Sequence, residues 1–228
     1  MKRSRINALI DDAIEFLRAY RVALPPFAYW GDTDWASQSD RAHLIFERKL
    51  GWDVTDFGLD RFDEIGLLLF TLRNGALSDL VRGSGMLYAE KILLIRPRQI
   101  TPMHHHASKT EDIINRGGGQ LAIRLFHTTA SGGLSDADVS FVTDGIEREG
   151  PAGTVHRLLP GSSITLPARM YHSFWAENGT VLAGEVSTVN DDALDNRFLE
   201  PVGRFPEIEE DEPARYWLVS DYASLQGQ

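Results

Sequence analysis

The stretch TPMHHHASKTEDIINRGGG, residues 101–119, concentrates metal-ligand side chains more than any other short segment of the chain. In an extended chain residues i and i+2 share a face. His104 and His106 therefore project together, and His105 projects the other way. Glu111 follows His106 by five residues, and a bend between them returns its carboxylate to the same site. A third imidazole is supplied by His172 in PGSSITLPARMYHSFW, where Pro160–Gly161 is a turn and a short strand ends at Pro167. Three imidazoles and one carboxylate suit a divalent first-row metal: Mn, Fe, Co, Ni or Zn. The chain has no cysteine, so disulfides, thiolate chemistry and Cys-type zinc sites are excluded.

These residues need a scaffold, and the chain divides into two textures. Up to about residue 75 the pattern is helical. Ile6, Leu9, Ile10, Ala13, Ile14 and Leu17 recur at three- and four-residue steps. GDTDWASQSDRAHLIFERKLG predicts a second helix, with Thr33 or Asp34 as its cap and Gly51 after its end. Residues 60–73, DRFDEIGLLLFTLRNG with its closing glycine, predict a third. Beyond residue 85 the texture is β. MLYAEKILLIRP, QLAIRLFH, DVSFVTDG, GTVHRLLP, SITLP, SFWAE and VLAGEVSTVN are short β-branched and aromatic runs separated by Gly, Pro, Asn and Asp. That spacing predicts an antiparallel sandwich or barrel. Glycines 117–119 read as a tight turn, with QLAIRLF running back as the next strand. The acidic, then aromatic tail FPEIEEDEPARYWLVSD reads as a segment packed over the barrel.

A length of 228 residues suits one large domain, or a domain with an appended lobe. The formal net charge of −10 argues against nucleic acid and anionic membranes as partners, and does not repel a neutral sugar. The basic start MKRSRINALIDDAIEF is interrupted by Asp11, Asp12 and Glu15 and does not read as a signal peptide. The run IGLLLF (65–70) is far short of the roughly 20 residues of a membrane span, so the expected location is the cytoplasm.

The order HxH, glutamate, glycine, then glycine, proline and histidine resembles the two motifs of the cupin superfamily. The second glycine usual between that proline and histidine is replaced by the run Ala168–Tyr171. FAYW (27–30), YAEKILLI (88–95), TPMHHH with EDIINRGGG, YHSFWAENGTVLAGEVSTVNDDALDNRF and GRFPEIEEDE resemble the D-lyxose ketol-isomerases, metal-dependent cupins, over nearly the whole chain. The resemblance implies His104, His106, Glu111 and His172 as metal ligands, Mn²⁺ as the usual metal with Co²⁺, Fe²⁺, Ni²⁺ or Zn²⁺ as alternatives, and a homodimer. It implies interconversion of D-lyxose with D-xylulose, and of D-mannose with D-fructose. The expected fold is a cupin β-barrel of two antiparallel sheets. Residues 1–75 form an N-terminal helical lobe on it, and residues 76–228 the barrel with its C-terminal extension, as one structural unit.

Four protein ligands leave two positions of an octahedral ion for an aldose carbonyl and its neighbouring hydroxyl. Isomerisation through a metal-stabilised enediolate then needs a base to carry a proton between C2 and C1. Lys109, two residues before Glu111, is a candidate to bond a sugar oxygen or donate a proton; the alternative is a solvated loop lysine. Glu185 stands in the nearly apolar run VLAGEVSTV, either paired in the core or turned into the cavity as the base. Asp195 and Arg197 in DALDNRF are candidates to hold sugar hydroxyls. Trp30, Phe174 and Trp175 read as packing rather than as a sugar platform. An Fe-dependent cupin dioxygenase and a non-catalytic sugar-binding cupin are the rival classes for the same ligand set.

Overall fold

A computed structural model describes residues 1–189 and 191–225. It opens on helix α1 (Arg3–Ala19), whose stripe from Ile6 to Leu17 is buried. The helix stops because Arg21 adopts a left-handed backbone. The Val22 N–H then returns to Leu17 O at 2.9 Å and the Arg21 N–H to Arg18 O at 2.9 Å, a Schellman closure. Next, the expected second helix appears in pieces: α2 (Asp32–Gln38), a 3₁₀ turn over Ser39–Arg41, and α3 (His43–Glu47).

Strands β1 (Gly51–Thr55) and β2 (Leu67–Asn74) follow, paired antiparallel. The helix expected over 60–73 is thus a strand from Leu67 onward. The cause is burial on both faces. Leu67 and Leu69 join the barrel core, while Leu68 and Phe70 face the cluster beneath α1 with Ile6, Leu9 and Ile10. A strand covered on both sides loses polar alternation and reads as one apolar run. Burying each aliphatic chain of this two-sided layer contributes about 1.5–3 kcal/mol. Since β1 and β2 extend the sheet, the helical layer proper ends near Glu47.

After α4 (Leu77–Arg82) come β3 (Tyr88–Ile95), β4 (His104–His106) and β5 (Glu111–His127). β6 (Val139–Thr143), β7 (Ile146–Gly150), β8 (Val155–Leu158) and β9 (Ser163–Leu166) are short. β10 runs over Met170–Thr188, then α5 (Asp192–Asp195), β11 (Asn196–Phe198) and α6 (Tyr222–Leu225) complete the order. All the paired strands are antiparallel.

The two long strands organise the barrel. β5 is continuous through Gly117–Gly119, so the expected turn there is instead a bulge against β10. Gly118 sits at φ +89, and a Cβ on it would stand 2.0 Å from Thr180 O. Only glycine permits this approach. At the same level β10 passes through Asn178 at φ 61 and Gly179 at φ 130, which joins the expected strands SFWAE and VLAGEVSTVN into one. The bend divides both strands. The first half of β5 pairs with β9 and its second half with β8, while β10 takes β4 at His172 and β3 from Val181 onward. Instead of the two separate sheets expected, the described strands form one antiparallel sheet, which bends at this level and folds around the core of Leu93, Ile113, Ile123, Ile164 and Phe174. The architecture is a mainly β cupin-type barrel.

The tail packs on α1 and the β1 edge rather than over the barrel alone. Buried Arg3 forms ion pairs with Glu210 at 2.6 Å and Asp221 at 2.9 Å, and Leu218 bridges Trp52. No helix among the described residues is long and apolar enough to cross a membrane.

Candidate active site

The site lies inside the barrel where β4, β5, β10 and β3 converge. β4 is only three residues long, yet it is pinned on both sides. His104 is the register partner of His172 on β10, and His104, His105 and His106 oppose Phe198, Arg197 and Asn196 on β11. The ligand nitrogens of His104, His106 and His172 lie within 4.8 Å of one another, and all three residues are buried. Glu111, first residue of β5, brings Oε1 to 3.3 Å from His106 Nε2 and 3.2 Å from His172 Nε2. The bend foreseen between His106 and Glu111 does return the carboxylate to the imidazoles.

Main-chain and acidic groups orient the rings. His104 Nδ1–H donates to Pro102 O at 2.8 Å, and His172 Nδ1–H to Met170 O at 3.0 Å. With Nδ1 protonated, each Nε2 turns a lone pair into the cluster. His172 Nε2 is buried and has no hydrogen-bond partner. An orphaned acceptor among imidazoles and a carboxylate suits a divalent cation. His106 Nδ1 lies 3.3 Å from Asp195 Oδ2. His105, by contrast, packs its ring edge-on to Tyr171 at 4.6 Å, outside the cluster, as strand alternation requires.

Charge follows this geometry. Burial, then the imidazoles of His172 and His106, push His104 well below the ordinary histidine range. Burial also opposes the charge on His106, but Glu111 and Asp195 outweigh it and raise its pKa. Burial opposes ionisation of Glu111 too; the Lys109 ammonium and His106 prevail and hold it well below the carboxylate range.

Lys109 is 2% exposed, not a solvated loop lysine. Its Nζ sits 2.6 Å from Glu111 Oε2 and 2.9 Å from Glu185 Oε1. Glu185 is therefore both paired and turned into the cavity, the two options its strand left open. A further cation reaches it: Lys91 Nζ lies 3.3 Å from the same Oε1. Lys91 on β3 is the register partner of Glu185 on β10. The signal was present in YAEKILLI, where a lysine interrupts an apolar strand.

Asp195 and Arg197 do not line the cavity. Asp195 accepts bonds from Ser108 N at 2.8 Å, Ser108 Oγ at 2.6 Å and Lys109 N at 3.3 Å. It thereby holds the loop that carries Lys109, and these bonds with the facing His106 outweigh burial and keep its carboxyl well below the usual range. Arg197 is exposed, its Nη1 donating to Leu194 O and Asn196 O at 2.8 and 3.0 Å. On β11 the alternate residues Asn196 and Phe198 turn inward instead, with Thr101 and Arg204 also on the cavity wall. Arg204 is held by Asp53 of β1. Of the aromatics set aside as packing, Phe174 is buried and borders the cavity, Trp30 stacks edge-on with Trp35, and Trp175 lies under Arg124.

The barrel has the fold of a class of solved proteins, the L-ribose isomerases. The fold matches the L-ribose isomerase of Acinetobacter sp. DL28, solved with L-ribose, at a TM-score of 0.60 and 15% identity, covering 92% of this chain and 98% of that one. The L-ribose isomerase of Geodermatophilus obscurus matches at 0.60 and 15% identity, over 91% and 98% of the two chains. For the family the sequence is decisive. The chain belongs to the D-lyxose isomerase family, whose model matches residues 1–222. It is 47% identical to the D-lyxose/D-mannose isomerase of Escherichia coli O157:H7, over 97% of this chain and 98% of that protein. It is 48% identical to the D-lyxose/D-mannose isomerase of Serratia proteamaculans, over 97% and 98%. The protein is thus a sugar isomerase with a buried three-histidine group able to hold a metal ion.

Proposed function

We propose that this isomerase is metal-dependent and interconverts D-lyxose with D-xylulose and D-mannose with D-fructose by proton transfer between C2 and C1. One observation carries the reading. A buried carboxylate, Glu185, shares a cavity with His104 and His106 and is bridged to their cluster through Lys109, at 2.9 Å on one side and 2.6 Å from Glu111 on the other. The names of the relatives support the two aldoses.

His104, His106, His172 and Glu111 would hold the ion, with Mn²⁺ the first choice. When bound it supplies Lewis-acid polarisation of the sugar carbonyl. The remaining steps belong to the chain. Glu185 accepts the C2 proton and returns it to C1, so that one carboxylate serves both half-reactions. Lys109 Nζ, beside Glu185, donates a hydrogen bond to the sugar oxygen on which negative charge develops. Lys91 fixes the Glu185 carboxylate from the β3 side. Asp195 acts at one remove, holding His106 and the Ser108–Lys109 main chain. The apolar walls from Phe57, Leu93 and Phe174 exclude water from the carbanion-like carbon.

Glu185→Gln keeps the shape and removes the base. It is expected to retain metal and sugar binding while kcat falls about 10²-fold or more. Turnover in D₂O is expected to leave deuterium at C1 of the ketose. A nearly active Glu185→Gln enzyme yielding product free of deuterium would replace this route by a direct hydride shift.

A further inference from the structure

Within the reaction just proposed, and resting on that reading, we infer that Asn196 and Thr101 form a subsite for a sugar hydroxyl remote from the reacting carbons. The inference starts from two unsatisfied atoms. Thr101 Oγ1 and Asn196 Oδ1 are buried, have no hydrogen-bond partner, and belong to residues that line the active-site cavity. A buried polar group left unpaired costs about 1–3 kcal/mol. Two on one wall of a cavity mark a place where a ligand completes the bonding.

Their backbones are tied down on neighbouring strands. The Thr101 N–H donates to Phe174 O at 3.0 Å, and Ser173 Oγ donates to Thr101 O at 2.8 Å, clamping Thr101 to β10. Asn196 is the register partner of His106. Directly opposed residues of an antiparallel pair project to the same face, so Asn196 stands beside the imidazole cluster. Thr101 is 3% exposed and lies three residues before His104. The two thus face the cavity from the β11–β4 side. Lys109, in the loop between β4 and β5, and Glu185 on β10 line the same cavity. A sugar whose C1–C2 end meets Lys109 and Glu185 presents its other hydroxyls to this wall. Asn196 Oδ1 accepts from a sugar O–H, and Thr101 Oγ1 both donates and accepts, which suits the neutral hydroxyls of an aldose. A site built to bond a hydroxyl rejects the analogue that lacks it, because its own polar atoms then stay unpaired.

The test compares Thr101→Val, which replaces the hydroxyl by a methyl of similar shape, and Asn196→Ala with the native holoenzyme. Substrates are D-mannose and D-mannose analogues lacking one hydroxyl at a time beyond C2; metal content and thermal midpoint are recorded alongside. Each variant is expected to keep its metal and lose about tenfold in kcat/KM for D-mannose, chiefly through KM. For the analogue lacking the contacted hydroxyl the variant and native enzymes are expected to be equal, a convergence that a merely structural role does not produce. Unchanged kinetics in Thr101→Val and Asn196→Ala, or equal losses on every analogue, would overturn the subsite while leaving the isomerase reading intact. A native enzyme that neither binds nor turns over any aldose would overturn the isomerase reading, and the subsite with it.

Discussion

Replacing Lys91 by methionine probes the charge balance at the core of the site. The side chain keeps its length and loses its charge. In the native protein the Lys91 side chain is 5% exposed, with Nζ 3.3 Å from Glu185 Oε1. At an effective dielectric constant of about 20, two unit charges at that separation attract by about 5 kcal/mol before desolvation is counted. Stripping one partner from a buried pair costs about 3–5 kcal/mol, because the other charge stays buried. Here Lys109 remains 2.9 Å from Glu185, so the loss is reduced to about 2–3 kcal/mol. The assay is urea unfolding of the metal-free protein, with an unchanged m-value required before midpoints are compared. The double variant Lys91→Met/Glu185→Gln removes both charges. It is expected to be more stable than the sum of the single losses by about 1–3 kcal/mol, the coupling of neighbours in one network. Losses that add within about 0.5 kcal/mol would show that the two charges are not coupled, and would refute the buried Lys91–Glu185–Lys109 arrangement.

Other outcomes follow from the same geometry. His172→Ala is expected to lose the divalent ion, and His105→Ala to keep it, since His105 packs on Tyr171; metal analysis of purified protein checks both, and equal loss would mean the strand register is wrong. Lys109→Met is expected to lower kcat about 10²-fold or more with the metal retained, measured as ketose formation against metal content. Stability is expected to fall on the acid side. Arg3 depresses the carboxyl of Glu210, so this group's contribution is present above its unfolded pKa and is lost as pH falls through the lower folded value. Glu210→Gln is expected to lower the melting temperature at neutral pH, where the pair with Arg3 is intact, and to converge with the native protein below about pH 4, near the ordinary glutamate value.

Where local spacing decides structure, the sequence was readable. HxH alternation, the α1 stripe and the short strands β6, β8 and β9 each rest on a few neighbouring residues, and each appears at its place. Failures occurred where distant packing decides. LLLF is a strand because α1 covers the face that the barrel core does not. Gly117–Gly119 is a bulge because Thr180 of another strand lies against it. Frame errors are costly in strands. The polar run DALDNRF pointed to Asp195 and Arg197, but pairing of β11 with β4 turns Asn196 and Phe198 inward, one position away. Lys91 is not legible as a site residue from local spacing, because its partner Glu185 is distant in the chain and is identified only by strand register.

The central claim is that a cation-loaded barrel moves a proton between C2 and C1 of an aldose. The most direct measurement incubates Mn²⁺-loaded protein with D-lyxose in D₂O, and analyses the product by NMR. D-xylulose carrying deuterium at C1 is expected, with product formation abolished by chelator and restored by Mn²⁺. D-lyxose returned unchanged by the metal-loaded protein, with no ketose from D-mannose in a parallel sample, would contradict the account.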